Sequence, residues 1–175
     1  MSTSTRRLAV LLCLGALLAC RAPDPKQELD LYGVETYWAV ARSIGDTHYI
    51  APVVRFHLRN KGDRAHRSIQ ATGTFRRVGE EATWGSAWEQ VNTGGEPFRP
   101  GQETEVTLMS DAHYTCPDPP EMMLQNAQFK DARVDVFIRV GSSQWVKMAE
   151  TPIERRIGSH SVEGLVSPEE TPAEE

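Results

Sequence analysis

The sequence predicts an all-β domain, and three observations carry that expectation. Runs in which apolar and polar residues alternate recur through the middle of the chain, the period-two pattern of half-buried strands. Short clusters of Gly, Asn, Asp and Pro punctuate them at near-regular spacing. The one stretch that breaks the rhythm, 112–131, carries Pro117, Pro119 and Pro120 and leaves room for only one short helix.

In order along the chain, Tyr32 to Ala41 is a candidate first strand with Val34, Thr36, Trp38 and Val40 on one side. Val54, Phe56 and Leu58 then alternate with Arg55, His57 and Arg59. Asn60-Lys61-Gly62-Asp63 follows with turn chemistry, since Asn and Gly tolerate the positive φ of tight turns. A third strand sets Ile69, Ala71, Gly73 and Phe75 inward and Gln70, Thr72, Thr74 and Arg76 outward, until Gly79-Glu80-Glu81 breaks it. Thr83 to Val91 suits a fourth strand, and Glu103 to Met109 a fifth with Thr104, Val106 and Leu108 on one face. Between them Pro97 to Gly101 makes a proline-glycine loop.

Tyr114-Thr115-Cys116-Pro117-Asp118-Pro119-Pro120 cannot be a central strand, because proline has no ladder donor. Glu121 to Phe129 is expected to form a short helix behind Pro120. Val134, Val136, Ile138 and Val140 restore the alternation, Gly141-Ser142-Ser143 turns the chain, and Gln144 to Ala149 returns. An edge strand is expected at Ile153 to Ile157 and a disordered acidic tail from 158.

About seven short strands with turn signals between them predict an immunoglobulin-like β-sandwich over 32–157, interrupted by one short helix-containing insert. Phe56-His57-Leu58-Arg59-Asn60-Lys61-Gly62-Asp63, then Arg67 to Phe75, then Arg99-Pro100-Gly101-Gln102 follow a strand, Asn-x-Gly, strand, Pro-Gly, strand order. That order resembles bacterial extracytoplasmic Ig-like modules of the FxLYD kind over about residues 50 to 110. The resemblance implies a spacer, binding module or assembly part, with no catalytic residues to carry over. The insert departs from that pattern.

The first 19 residues read as a secretory signal: Arg6 and Arg7 precede the uncharged run Leu8 to Leu18. That run is shorter than the ~20 residues a spanning helix needs. Leu17-Leu18-Ala19-Cys20 resembles the lipobox of bacterial lipoproteins. The resemblance implies a diacylglyceryl (palmitate-type) anchor on the Cys20 thiol, cleavage after Ala19, and a lipid-anchored protein of the cell envelope. Arg21 stands where an Asp commonly retains such proteins in the inner membrane, so the outer membrane, on its periplasmic or surface face, is the expected location. Residues 20–31 are then expected to be a spacer between lipid and domain. Of the three cysteines, Cys13 leaves with the signal and Cys20 takes lipid, so Cys116 has no disulfide partner within the mature chain.

The net charge of −5, more negative without Arg6 and Arg7, argues against a nucleic-acid partner, which needs a concentrated basic surface. His48, His57, His66, His113 and His160 show no metal-ligand spacing, and there is no nucleophile elbow or phosphate loop. No cofactor, metal or catalytic residue is expected. The leading expectation is a non-enzymatic binding or assembly module with an envelope protein as partner. Its candidate contact residues are Trp84 and Trp88, which share a face if this segment is a strand and are otherwise core residues under the opposing sheet. The others are Tyr114, Cys116, Met122 and Met123 of the insert, with Cys116 either a cross-linking thiol or a small buried hydrophobe beneath the loop. Arg55, His57, Arg59, Arg76 and Arg77, with Arg64 and Arg67, could form a basic stripe for anionic groups or a face neutralised by glutamates across the strands. Two other readings stand beside the first: an envelope enzyme or metal-handling protein using His113, Cys116 and Asp118, and a purely structural spacer.

Overall fold

A computed structural model describes residues 23–92, 95–117 and 119–158. The signal, Cys20, Asp118 and the acidic tail beyond Gly158 lie outside the described residues. The domain is an all-β, immunoglobulin-like sandwich. One helical turn, α1 (Pro25–Glu28), leads into β1 (Leu29–Ile44), β2 (Thr47–Asn60), β3 (Ile69–Arg77), β4 (Gly85–Gln90), β5 (Glu103–Met109), β6 (Tyr114–Pro117), β7 (Ala132–Val140) and β8 (Val146–Pro152). Sheet one has the order β1-β2-β5, with β6 paired to the other half of β2; sheet two runs β4-β3-β7-β8, and every pairing between strands is antiparallel. The sequence leads one to expect about seven strands, and the insert itself supplies the eighth.

The inward residues are those the alternation marks: Phe56, Leu58, Ile69, Ala71, Phe75, Val134, Val136 and Ile138 are all fully buried. Trp38 joins them at 0 % exposure. β1 and β2 break the alternation, because their other side is buried too. Tyr37, Ala39 and Val53 form a second small cluster with Met109 on the outer face of sheet one, where Arg156 lies over the Tyr37 ring at 5.1 Å.

Three local expectations are corrected. Residues 20–31 are not a spacer throughout. Asp24 caps α1, its Oδ1 accepting from Lys26 N at 3.0 Å. Glu28 O accepts from Lys61 N and Gly62 N, while its carboxylate meets Arg64 Nη2 at 2.8 Å and His66 Nε2 at 3.4 Å. Leu29 is 1 % exposed, so the domain begins at the cap. The Asn60–Asp63 segment is not a tight turn of positive φ but the start of a crossover between sheets. Asn60 is 0 % exposed, and its amide donates to Arg64 O at 2.8 Å and Phe98 O at 2.9 Å while accepting from Gly62 N. Its own carbonyl accepts from the N–H of Gly101, whose φ of 76° is one that glycine adopts without strain. Lastly, Ile153–Ile157 is not a regular strand. It leaves sheet two and crosses to the edge of sheet one, where Trp38 N donates to Arg156 O and Gly158 N to Trp38 O, both at 2.8 Å.

The insert's position follows from one residue. Pro52 lies between Val53, opposite Met109, and Ile50, opposite Tyr114. Lacking an N–H, it cannot continue the ladder to β5, and only its carbonyl is used, by Ser110 N. The chain leaves sheet one there, touches β4 through Asp111 N to Ser86 O and Ser86 N to Asp111 Oδ1, and returns as β6. A Cβ on Gly85 would lie 2.1 Å from Ser110 Oγ, so glycine permits that close passage.

Candidate functional site

The register defines two ends. Leu29, Asn60, Glu103, Ile69, Val140 and Gln90 sit at one, which receives the chain from Pro23. The β1–β2 hairpin tip, β6, the insert and the start of β7 sit at the other. The candidate site occupies this second end.

Its foundation is aromatic. Trp38 packs edge-on to Phe129 at 4.8 Å, Tyr114 at 5.7 Å and Trp84 at 6.1 Å from it, and Trp84 to Tyr114 is 5.0 Å. Such pairs add about 0.5–1.5 kcal/mol each beyond their burial. The buried Trp38 Nε1 has no hydrogen-bond partner. On this base stands a 3-10 helix, Pro120–Gln125, in place of the longer helix expected over Glu121 to Phe129. Proline starts it and Asn126, extended, ends it. Arg155 secures its last turn, donating to Leu124 O at 3.3 Å while pairing with Asp131 at 2.6 Å.

Open grooves flank this helix on two sides. One of about 390 Å³ is lined by Cys116, Pro117, Met122, Met123, Gln125 and Asn126. The other, of about 420 Å³, lies among Glu121, Leu124, Gln125, Arg155, Arg156 and Ile157. Met122 lines the first of them and is 57 % exposed. The same end carries Ile44 at the hairpin tip, 61 % exposed, and Val78, 55 % exposed, whose N–H donates to Asp131 O.

The insert residues singled out from the sequence are thus brought together, with different roles. Met122 is exposed, Met123 half-buried, Tyr114 half-buried in the aromatic base, and Cys116 2 % exposed beneath the groove. Burial, and then the Glu121 charge, push the Cys116 thiol above its ordinary range. It is therefore a protonated thiol, a poor nucleophile and an unready metal ligand.

The shared Trp84/Trp88 face is a correction. β4 begins at Gly85, so Trp84 lies outside the strand alternation and turns into the aromatic base, while Trp88 stands 57 % exposed on the outer face of sheet two. His113 and Cys116 do not converge either. His113 stacks edge-on to Tyr49 at 5.1 Å on the outer face, and Cys116 faces the core, donating to His48 O at 3.7 Å. Among the described residues no group of three His, Cys, Asp or Glu could hold a metal.

The arginines do not form one stripe. Arg55, His57 and Arg59 lie on sheet one, where Glu35, Glu105, Asp30 and Glu103 face them at 2.7 to 4.0 Å. Arg76 and Arg77 lie on sheet two beside Asp135 and Glu80. Sequence reasoning missed Ile44 and Val78. For Ile44 a signal was present, a large apolar residue directly before the turn residues Gly45-Asp46.

No protein-family model and no curated protein sequence matches the chain. Among solved structures, a Northeast Structural Genomics Consortium target is similar with a TM-score of 0.42 at 10 % identity, over 87 % of this chain and 100 % of that one. A Bordetella pertussis protein assigned as ApaA is similar with a TM-score of 0.36 at 19 % identity, over 72 % and 94 %. A protein from Archaeoglobus fulgidus gives 0.37 at 12 % identity, over 71 % and 96 %. Likeness at this level carries no argument about function.

Proposed function

We propose that this chain is a lipid-anchored cell-envelope protein whose sandwich holds a protein-binding surface away from the membrane, without catalysis. The carrying observation is the placement of the two ends. Cys20, the lipobox cysteine, is three residues before Pro23, a reach of about 10 Å at most. The Met122, Ile44 and Val78 side chains project from the opposite end. Large apolar side chains left in water above a rigid base suit a contact surface whose burial supplies the affinity. The insert's methionines add adaptability, being unbranched and polarisable. The paired arginines of sheet one give no free cationic face for an anionic partner there.

Two variants test the reading. Cys20→Ser removes the thiol that takes the lipid and is expected to move the protein from the membrane to the soluble fraction; unchanged membrane association overturns the anchor. Met122→Lys is expected to abolish partner capture at unchanged thermal stability, since this side chain is exposed. Capture at wild-type level with Met122→Lys overturns the contact surface.

A further inference from the structure

The outer face of sheet two divides into two unlike halves. Toward the insert, Arg76, Asp135, Lys147, Glu150 and Arg133 form a continuous ionic network. Toward the other end the registers give two rows across the four strands. Gln90, Gln70 and Arg139 form the first, with Trp145 beyond; Trp88, Thr72, Phe137 and Lys147 form the second. With strands about 4.8 Å apart, Trp88 and Phe137 stand about 10 Å apart on one face. Trp88 is 57 % exposed, Trp145 37 %, and Phe137 half-buried.

The polar groups between the rings are held in fixed directions. Arg139 Nε donates to Gln70 Oε1 at 2.9 Å, and its Nη2 donates to the same oxygen. Gln70 Nε2 donates to Gln90 Oε1 at 3.2 Å, and Gln90 is anchored on Ile69 O and Asn92 Oδ1. The Arg139 guanidinium stacks over Trp145 at 4.7 Å. Among the described residues it meets no carboxylate, unlike the cations of the ionic half. Among the described residues its Nη1 donors and the second hydrogen on Nη2 meet no partner and are placed to bind an outside anion.

The geometry points to this aromatic half as a binding face for an acidic polysaccharide, one carrying carboxylate or sulfate groups. The apolar C–H faces of sugar rings stack on separated flat indoles. Sugar hydroxyls exchange hydrogen bonds with the oriented amides, and a guanidinium recognises an anionic oxygen pair by parallel N–H bonds. A membrane surface fits less well. Of the loops at that end, 61–68 and 95–101 leave no large hydrophobic residue exposed and 141–145 only Trp145, while Trp88 and Phe137 lie across a sheet face rather than at a tip. This face is separate from the insert and does not depend on the anchor.

The test is titration of the full-length protein with polygalacturonate, alginate and heparin, followed by tryptophan fluorescence, with dextran as the neutral comparison. Binding to at least one acidic chain and none to dextran is expected. Arg139→Gln should weaken it at least tenfold, Trp88→Ala and Trp145→Ala should each weaken it severalfold, and Met122→Lys at the far end should leave it unchanged. Circular dichroism and melting verify that each variant is folded. Binding to none of the acidic chains, equal binding to dextran, or full retention in Arg139→Gln overturns the proposal. So does variant-sensitive binding to phosphatidylglycerol vesicles without binding to the glycans.

Discussion

Replacing Asn60 tests the claim that a buried amide, rather than turn chemistry, organises the crossover between sheets. Asn60→Ala removes three hydrogen bonds: to Arg64 O, to Phe98 O and from Gly62 N. Each contributes about 1 kcal/mol net. The partners are not left bare, since Phe98 O keeps His66 N and Gly62 N keeps Glu28 O, so a further desolvation penalty is small. The expected loss is about 2–3 kcal/mol, a fall of about 10 °C in Tm for a domain of this size. Asn60→Asp keeps the shape but turns the donor end into an acceptor facing two carbonyl oxygens. It should cost more than alanine at pH 7, because a buried carboxylate that keeps only the Gly62 N–H and faces two carbonyl oxygens is expensive. Its pKa in the folded state should rise, so this variant recovers stability as pH falls into the acid range. Thermal melting of the three proteins at pH 5 and pH 7 decides the matter. An Asn60→Asp protein as stable as Asn60→Ala at both values would show that the buried amide does not organise the crossover.

Other expectations concern charge, access and packing. Burial works to raise the Asp135 pKa, but hydrogen bonds from Lys147 and Arg76 outweigh it and hold it below the ordinary 3.8. A lowered native value contributes stability above that ordinary value and loses it as pH falls through the native one. Asp135→Asn should therefore flatten the loss of stability expected below about pH 4, measured as denaturant midpoint against pH. Cys116, buried and protonated, should react with a thiol reagent in the native protein at least tenfold more slowly than in denaturant. Rapid native labelling would place it elsewhere. Gly158→Ala would put a Cβ 2.4 Å from the Tyr37 ring, so the 156–158 segment should detach from β1. Faster hydrogen exchange at Trp38 and Gly158 reads this directly.

Much of the fold is legible because most strands have one face in the core and one in water. Val54-Phe56-Leu58, Ile69 to Phe75 and Val134 to Val140 show it plainly. The pattern fails at Tyr37–Ala39 and Ile50–Val53, where both faces are buried and period two carries no information. Glu28 and Asn60 look like surface residues in the sequence, and their roles depend on partners far along the chain, such as Arg64 and Phe98. The insert was visible through its prolines, but β6 was not, because its pairing follows from the ladder gap at Pro52. Trp84 and Trp88 have strand spacing, yet β4 starts between them, a boundary set by the approach of Ser110 to Gly85.

The central claim, a contact surface at the end away from the anchor, is tested most directly by position-specific photo-cross-linking in intact cells. A photoreactive residue replaces Met122 at the insert end or Arg99 at the end that receives Pro23, both exposed in the structure. A discrete cross-linked protein species is expected from position 122, absent from position 99 and lost when Met123 and Ile44 are changed to Lys. Cross-linking from position 99 alone, or the same species from both positions, would contradict it.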